Sequence, residues 1–151
     1  MTYLLKRQRG MTLIELMTVC IVIGILASIA VPSYRRYLQR AQRSDATTAL
    51  LRLATAQEKH YLQYGTYVTV TASLPNAHAS GGVGVPTTSE RGFYGLSVTD
   101  NGGLGFLATA TPVAGGGQAT DTACARFTVT ESGTKRAYNS ASVDKTTECF
   151  R

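Results

Sequence analysis

One carboxylate stands out in the first part of this chain because its surroundings are apolar. Glu15 is the only charged residue between Met11 and Val31, a run of about 21 residues, which as a helix could cross a hydrocarbon core of roughly 30 Å. Inserting a carboxylate there costs on the order of 2.5–3.5 kcal/mol, which by default indicates a functional group. Because this run contains no Lys or Arg, we expect a partner from outside the run. The alternative is a carboxyl group that stays protonated in lipid.

The three cysteines are the second group of residues that could do chemistry, either by binding a metal or by forming a disulfide. Cys20 lies in the apolar run, where a small packing residue is expected, whereas Cys124 and Cys149 lie near the C-terminus. No CxxC motif or Cys/His cluster has zinc spacing, so neither a metal nor a cofactor is predicted. Outside the cytoplasm, Cys124 and Cys149 can form a disulfide that contributes roughly 3–4 kcal/mol on the chain-entropy model. The alternative is two free buried thiols.

Catalytic constellations are missing from the sequence. Two histidines, no suitably spaced carboxylate pair and no Ser/His/Asp set argue against an enzyme. The net charge of +6 includes three positive residues of a short leader, so the excess on the remaining chain is mild for a dedicated nucleic-acid domain. A DNA-binding module remains a second hypothesis, with candidate residues Lys135, Arg136, Lys145 and Arg151.

The elements that position these groups begin with the basic leader, which contains Lys6, Arg7 and Arg9. Positive charge on this side of the apolar run predicts a cytoplasmic N-terminus and export of the rest. Ala27-Ser28-Ile29-Ala30 is similar to a signal-peptidase site. The apolar run is, however, long for a cleaved secretory signal, so cleavage there is not expected.

Helical periodicity continues from Ser33 to about Tyr64 and predicts an amphipathic helix that packs on a sheet. The apolar stripe is predicted to comprise Ala46, Ala49, Leu50, Leu53, Gln57 and either Tyr61 or Tyr64. The first half is basic, with Arg35, Arg36, Arg40, Arg43 and Arg52. These arginines are expected either to meet lipid phosphates or acidic patches of neighbouring subunits, or to form a solvated face. Gly65 is the predicted C-cap, and His60 is expected on the surface.

The rest of the chain predicts a connecting loop and a small antiparallel sheet. Residues 66–92 are rich in Gly, Ser, Thr and Pro, which is typical of a loop. Alternating apolar residues then predict strands at 93–99, 104–111, 125–130 and 135–139. Asp100-Asn101-Gly102-Gly103 is a strong turn signal. The tail after Asn139 is expected to have little core of its own.

The segment Gly10-Met11-Thr12-Leu13-Ile14-Glu15-Leu16 resembles the class III signal of type IV pilins. The resemblance implies that a prepilin peptidase cleaves after Gly10 and that Met11 becomes the methylated N-terminus. It also implies that Glu15 pairs with the N-terminal ammonium of a neighbouring subunit and sets the assembly register. Related pilins loosen their helix in the filament, which implies local melting between Gly24 and Pro32.

These observations together predict an α+β chain with the type IV pilin fold. The expected segments are a leader (1–10), a transmembrane and assembly helix (11–32), an amphipathic helix (33–65), a connecting loop (66–92), and an antiparallel sheet with a C-terminal disulfide-bounded region (93–151).

The resemblance implies a structural subunit of a type IV pilus, and the layout is most similar to minor pilins of the PilE kind. Such filaments support adhesion, twitching motility or DNA uptake. The implied partners are other pilin subunits, the prepilin peptidase, an inner-membrane assembly platform and membrane lipid, with DNA as a further candidate. The subunit is expected in the inner membrane as a single-pass protein before assembly and in the extracellular pilus afterwards. The alternatives are a DNA-receptor pilin, a pseudopilin of a type II secretion system, or a membrane-anchored periplasmic domain without a filament.

Overall fold

The computed structural model describes residues 11–77, 81–103 and 105–150. The leader with Gly10, and the predictions made for Leu104 and Arg151, lie outside these residues. The chain divides into two compact units, the first ending at Tyr37 and the second beginning at Leu38.

Helix α1 comprises Leu13–Tyr64, a span of 52 residues with Pro32 inside it. The Thr12 hydroxyl accepts a hydrogen bond from the Glu15 amide at 3.3 Å, which satisfies one of the free donors of the first turn. Gly65 ends the helix: its amide donates to the Tyr61 carbonyl at 2.8 Å, and its φ of 71° is one that glycine adopts without strain. The predicted C-cap is therefore in place.

Four strands form one antiparallel sheet in the order β1-β2-β3-β4. They are β1 (Tyr94–Asp100), β2 (Phe106–Pro112), β3 (Arg126–Thr130) and β4 (Lys135–Tyr138). Between β1 and β2 the Asp100 carboxylate accepts from the Gly102 amide at 2.9 Å, which closes the predicted turn. The predicted α+β fold is confirmed. The strand bounds differ from the predicted ones by one or two residues. At the end of β2, for example, Pro112 still pairs with Tyr94 and belongs to the strand.

The core lies in the second unit, where buried α1 residues meet alternate side chains of the sheet. On α1 the buried residues are Asp45, Ala46, Ala49, Leu50, Leu53, Gln57 and His60. The connection after α1 contributes Val68, Leu74, Val83 and Val85 to the same core. Parts of this connection are therefore packed, and its described residues include a 3₁₀ turn at Thr71–Ser73.

The surface placement predicted for His60 is wrong. This side chain is only 5 % exposed, and its Nδ1 lies 2.8 Å from the Thr66 carbonyl oxygen. Tyr61, one of the two tyrosines that the stripe placed inside as alternatives, is 36 % exposed. The reversal follows from helical spacing, since His60 lies three residues after the fully buried Gln57 and shares its face.

Among the described residues after Asn139, Cys149 alone is buried, so this tail has little core of its own. It contains a short helix α2 (Thr146–Cys149). Cys124 and Cys149 form a disulfide with a Cα–Cα distance of 5.9 Å. Because both cysteines are buried, this bond ties the tail to the segment before β3.

Candidate functional site

The N-terminal end of α1 presents a carboxylate without a partner among the residues that the structure describes. Glu15 lies in the first turn, where a negative charge is favoured by the helix dipole. Thr12 and Thr18 are near in sequence, but both hydroxyls bind the backbone. Thr18 Oγ1 donates to the carbonyls of Ile14 at 2.9 Å and Glu15 at 2.8 Å. The Glu15 carboxylate is thus available to a group from outside the described chain.

The apolar part of α1 is exposed along its length. Its most apolar 18-residue window has a mean hydropathy of 2.5 and none of it is buried, so by length and composition this helix could cross a membrane. Cys20 is a free, exposed thiol, and a Cβ added at Gly24 would meet nothing within 4 Å. Cys20, Gly24 and Ser28 are small residues spaced four apart, so they share one face of the helix. This face is open to a neighbouring helix. The helix is continuous through Gly24 and Pro32 in this single chain, and melting within a filament stays a prediction.

The arginines of α1 divide into two groups. Arg35, Arg36 and Arg40 are exposed and form no ion pair with any described residue. Arg43, in contrast, makes a bidentate pair with Asp121, with Nε–Oδ2 and Nη2–Oδ1 distances of 2.7 and 2.9 Å. The side chains of this pair are 13 % and 3 % exposed.

A buried polar network extends the Arg43–Asp121 pair into the core. Gln118 Nε2 donates to the Tyr94 hydroxyl at 2.7 Å and to Asp121 Oδ2 at 3.1 Å, and the Cys124 amide donates to Asp121 Oδ1 at 3.3 Å. Burial raises the pKa of the Tyr94 phenol, so it stays neutral and can accept the Gln118 bond. The network holds the Gly-rich segment before β3 against α1.

The residues predicted to bind DNA do not form one cluster. Lys135 and Arg136 lie on opposite faces of β4, because adjacent strand residues point to opposite sides. Lys135 lines a groove of about 520 Å³ that also contains Arg40, Ser44, Thr47 and Phe150. Arg136 lies on the outer face of the sheet with Thr128, Thr130 and Tyr138.

The other two DNA candidates separate as well. Lys145 Nζ pairs with Glu148 at 3.0 Å, and Arg151 lies outside the described residues. Sequence reasoning also missed Arg40 as a companion of Lys135, because the two are far apart in the chain. Among the described residues no group of three or more His, Cys, Asp or Glu is placed to hold a metal ion.

Comparison with protein-family models gives two matches. Residues 32–128 match the model described as "Type IV minor pilin ComP, DNA uptake sequence receptor". Residues 5–31 match the "Prokaryotic N-terminal methylation motif". The second match covers the Gly10-Met11 junction and Glu15.

Curated relatives are similar over about two thirds of the chain. The "Type IV major pilin protein PilE1" of Neisseria gonorrhoeae is 36% identical over 109 residues, which are 72% of this chain and 60% of that protein. A "Fimbrial protein" of Neisseria meningitidis serogroup B is 39% identical over 98 residues, 64% of this chain and 52% of the relative. The chain thus spans between half and three fifths of the length of these relatives.

A solved structure supports the fold. The Neisseria meningitidis non-core minor pilin PilV superposes with a TM-score of 0.50 at 19% sequence identity. The superposition covers 69% of this chain and 90% of the PilV chain. At this identity the likeness concerns the fold alone.

Proposed function

This chain belongs to the type IV pilin family, and on that premise we propose that it is a minor subunit of a type IV pilus. Its relatives include proteins named as major pilins, but the family model that matches most of the chain is that of a minor pilin. Before assembly the apolar part of α1 anchors the subunit in the inner membrane with a cytoplasmic N-terminus. After assembly the same helix packs in the filament and the sheet faces outward. The assembly platform and membrane lipid are the partners of the first state.

The observation that carries this proposal is the exposed apolar helix with the Glu15 carboxylate at its start. A charge in an apolar environment is retained at low cost only when an opposite charge neutralises it. The N-terminal ammonium that cleavage after Gly10 creates on a neighbouring subunit supplies such a charge. Glu15 then allows a subunit to join the filament only where an amine meets it.

The test measures processing and incorporation separately. Intact mass of the membrane-extracted chain should correspond to a methylated N-terminus at Met11. Glu15→Ala should be inserted and processed but missing from sheared filaments. Thr18→Ala is the matched control, because it removes a polar group of the same helical turn that binds only its own backbone, and it should assemble normally. Normal incorporation of Glu15→Ala would contradict the proposal.

A second candidate function, DNA reception, is supported by the description of the matching family model. On this chain the groove with Arg40 and Lys135 offers two cations beside the Phe150 ring. Cations that neutralise phosphates and rings that stack on bases are the usual elements of a nucleic-acid surface. In this proposal the groove contacts the DNA backbone, while Arg136 on the other face lies outside the contact.

Salt-dependent DNA binding tests the second candidate. The full chain in detergent micelles should bind duplex DNA with an affinity that falls as salt rises, by a slope of about 0.9 per neutralised phosphate. Lys135→Gln should lower that slope by about one. Lys59→Gln, which changes an exposed lysine near the C-terminal end of α1 outside the groove, is the control and should leave the slope unchanged. Absence of binding at low salt would remove this candidate.

A further inference from the structure

A pocket of about 260 Å³ lies beside the middle of α1, within the second unit. Asp45 and Thr48 form its helical wall, and Val85, Pro86 and Ser89 form the opposite wall, which belongs to the connection before β1. Leu96 of β1 also lines the pocket. The site is therefore mostly apolar, with a few polar groups on both walls, as is typical of sites for small ligands.

The Asp45 carboxylate is the unusual member of this pocket. Asp45 is 8 % exposed, and its Oδ1 accepts one long hydrogen bond, from the Arg91 amide at 3.4 Å. Its Oδ2 is buried and has no hydrogen-bond partner among the described residues. A buried carboxylate oxygen without a donor is costly. Donors brought by a ligand would relieve that cost.

The charges around the pocket leave Asp45 without compensation. Arg52 and Glu90 also line it, but they form an ion pair with each other. Their side chains are 54 % and 68 % exposed, so this pair lies at the solvent rim. Arg91 approaches Asp45 through its backbone amide, and its residue is exposed. The pocket thus carries a net negative charge on a chain whose total is +6.

We infer that this pocket binds a guanidinium or ammonium group carried on an aliphatic stem. The cationic end supplies donors to the Asp45 carboxylate, which holds only one long hydrogen bond among the described residues, and the Thr48 hydroxyl offers a further acceptor. The stem lies along Val85, Pro86 and Leu96, where its methylene groups leave water. The pocket is expected to bind a cation more tightly than a neutral group of the same size, because the neutral group would leave the Asp45 carboxylate uncompensated.

Two sources can supply this chemistry, a free small cation or a basic side chain of a neighbouring subunit. The second source rests on the proposed pilus function. It has a ready supply on this chain, since Arg35, Arg36 and Arg40 are exposed and form no ion pair within the described residues. A neighbouring pilin of the same kind would present them near an acidic pocket.

The first experiment titrates the full chain in detergent micelles with n-butylguanidinium and with its neutral isostere n-butylurea. Methyl NMR signals of Val85 and Leu96 report occupancy. We expect the cation to bind at least tenfold more tightly than the urea, in line with a charge-assisted hydrogen bond. Asp45→Asn keeps the acceptor for the Arg91 amide and should abolish that preference. Glu90→Gln, a change at the exposed rim, should retain most of it.

A filled pocket provides an independent variant in case Asp45→Asn disturbs the fold. Thr48→Leu leaves the carboxylate in place and occludes the space beside it, so binding of n-butylguanidinium should be lost. Equal binding of the cation and the urea, or binding unaffected by both variants, would overturn the inference. No binding of either probe at 50 mM, roughly the weakest range that such a titration resolves, would overturn it too.

The second experiment distinguishes the two sources. Energy transfer between differently labelled full-length chains in micelles measures self-association. If a subunit side chain is the ligand, n-butylguanidinium should compete with association and Asp45→Asn should weaken it. If association is insensitive to both while the probe still binds, the natural ligand is a free cation. Because probe binding needs no filament, it can succeed when the pilus proposal fails, and the two ideas are separately refutable.

Discussion

Replacing Arg43 by Met should destabilise the second unit far more than the same change at Arg52. Both arginines lie on α1 and pair with an acid from a later segment. The Arg43–Asp121 pair is nearly buried, whereas the Arg52–Glu90 pair is mostly solvated. Methionine retains much of the aliphatic stem, so the comparison isolates the charge.

The size of this destabilisation depends on the hydrogen-bond donors that Asp121 retains. Without Arg43, Asp121 keeps only the Gln118 side chain and the Cys124 amide as donors. Removing one member of a buried ion pair costs about 3–5 kcal/mol, and the two remaining donors place this case near 3 kcal/mol. For a unit of roughly 110 residues this corresponds to a fall in Tm of roughly 12 °C. Arg52→Met should cost less than about 1 kcal/mol.

Near-UV circular dichroism of the tyrosines follows this unfolding, because the chain has no Trp and eight Tyr. The measurement uses the full chain in detergent micelles with the disulfide intact. A double-mutant cycle with Asp121→Asn then gives the coupling energy. A Tm for Arg43→Met equal to that of Arg52→Met would refute the reasoning, since burial would then make no difference to the pair.

Three further predictions concern the same unit. Cys149→Ala, which frees Cys124, should lower the free energy of unfolding by roughly 3.5 kcal/mol on the chain-entropy model, measured by urea titration against the wild type with its disulfide intact. Gln57→Leu should cost about 2–5 kcal/mol, because Gln57 bonds both the amide and the carbonyl of Val68 inside the core; thermal unfolding measures it. Burial raises the pKa of Tyr94, so its contribution to stability should be constant below about pH 10 and fall as pH rises above that value, measured by Tm across alkaline pH.

Each of these predictions has a result that would count against it. Equal urea midpoints for Cys149→Ala and wild type would show that the tail needs no covalent tie. A Gln57→Leu variant as stable as wild type would mean that the Val68 groups find other partners. Ionisation of every tyrosine near pH 10 in the folded protein would contradict the buried state of Tyr94.

The helix and the sheet could be predicted from local patterns. Alternation of apolar residues specifies which face of a strand is buried, and the Asp100-Asn101-Gly102-Gly103 signal specifies the turn between β1 and β2. The position of Glu15 is likewise readable, because its significance depends on the composition of its own segment. For the helix, the turn and Glu15, the residues of the same local segment were sufficient for the prediction.

The polar contacts within the second unit could not be predicted because their partners are distant in the chain. Asp121 lies 78 residues from Arg43, and nothing near Asp121 distinguishes it from an exposed loop aspartate. Asp45 lies among arginines in the sequence, and the packing of the 85–90 segment beside α1 encloses it. Lys135 and Arg136 show the opposite error. They are adjacent in sequence and were grouped as one site, but in β4 their side chains lie on opposite faces of the sheet.

The exposed apolar surface of α1 has a thermodynamic consequence. A lipid tail is about as apolar as a leucine side chain, so moving such a helix from lipid into a bundle of similar helices removes almost no hydrocarbon from water. In the proposed assembly the hydrophobic effect therefore contributes little to the difference between the two states. The equilibrium between membrane and filament would be close to balanced, and small polar terms would decide it. In that proposal a subunit could pass between membrane and filament with little change in hydrophobic free energy.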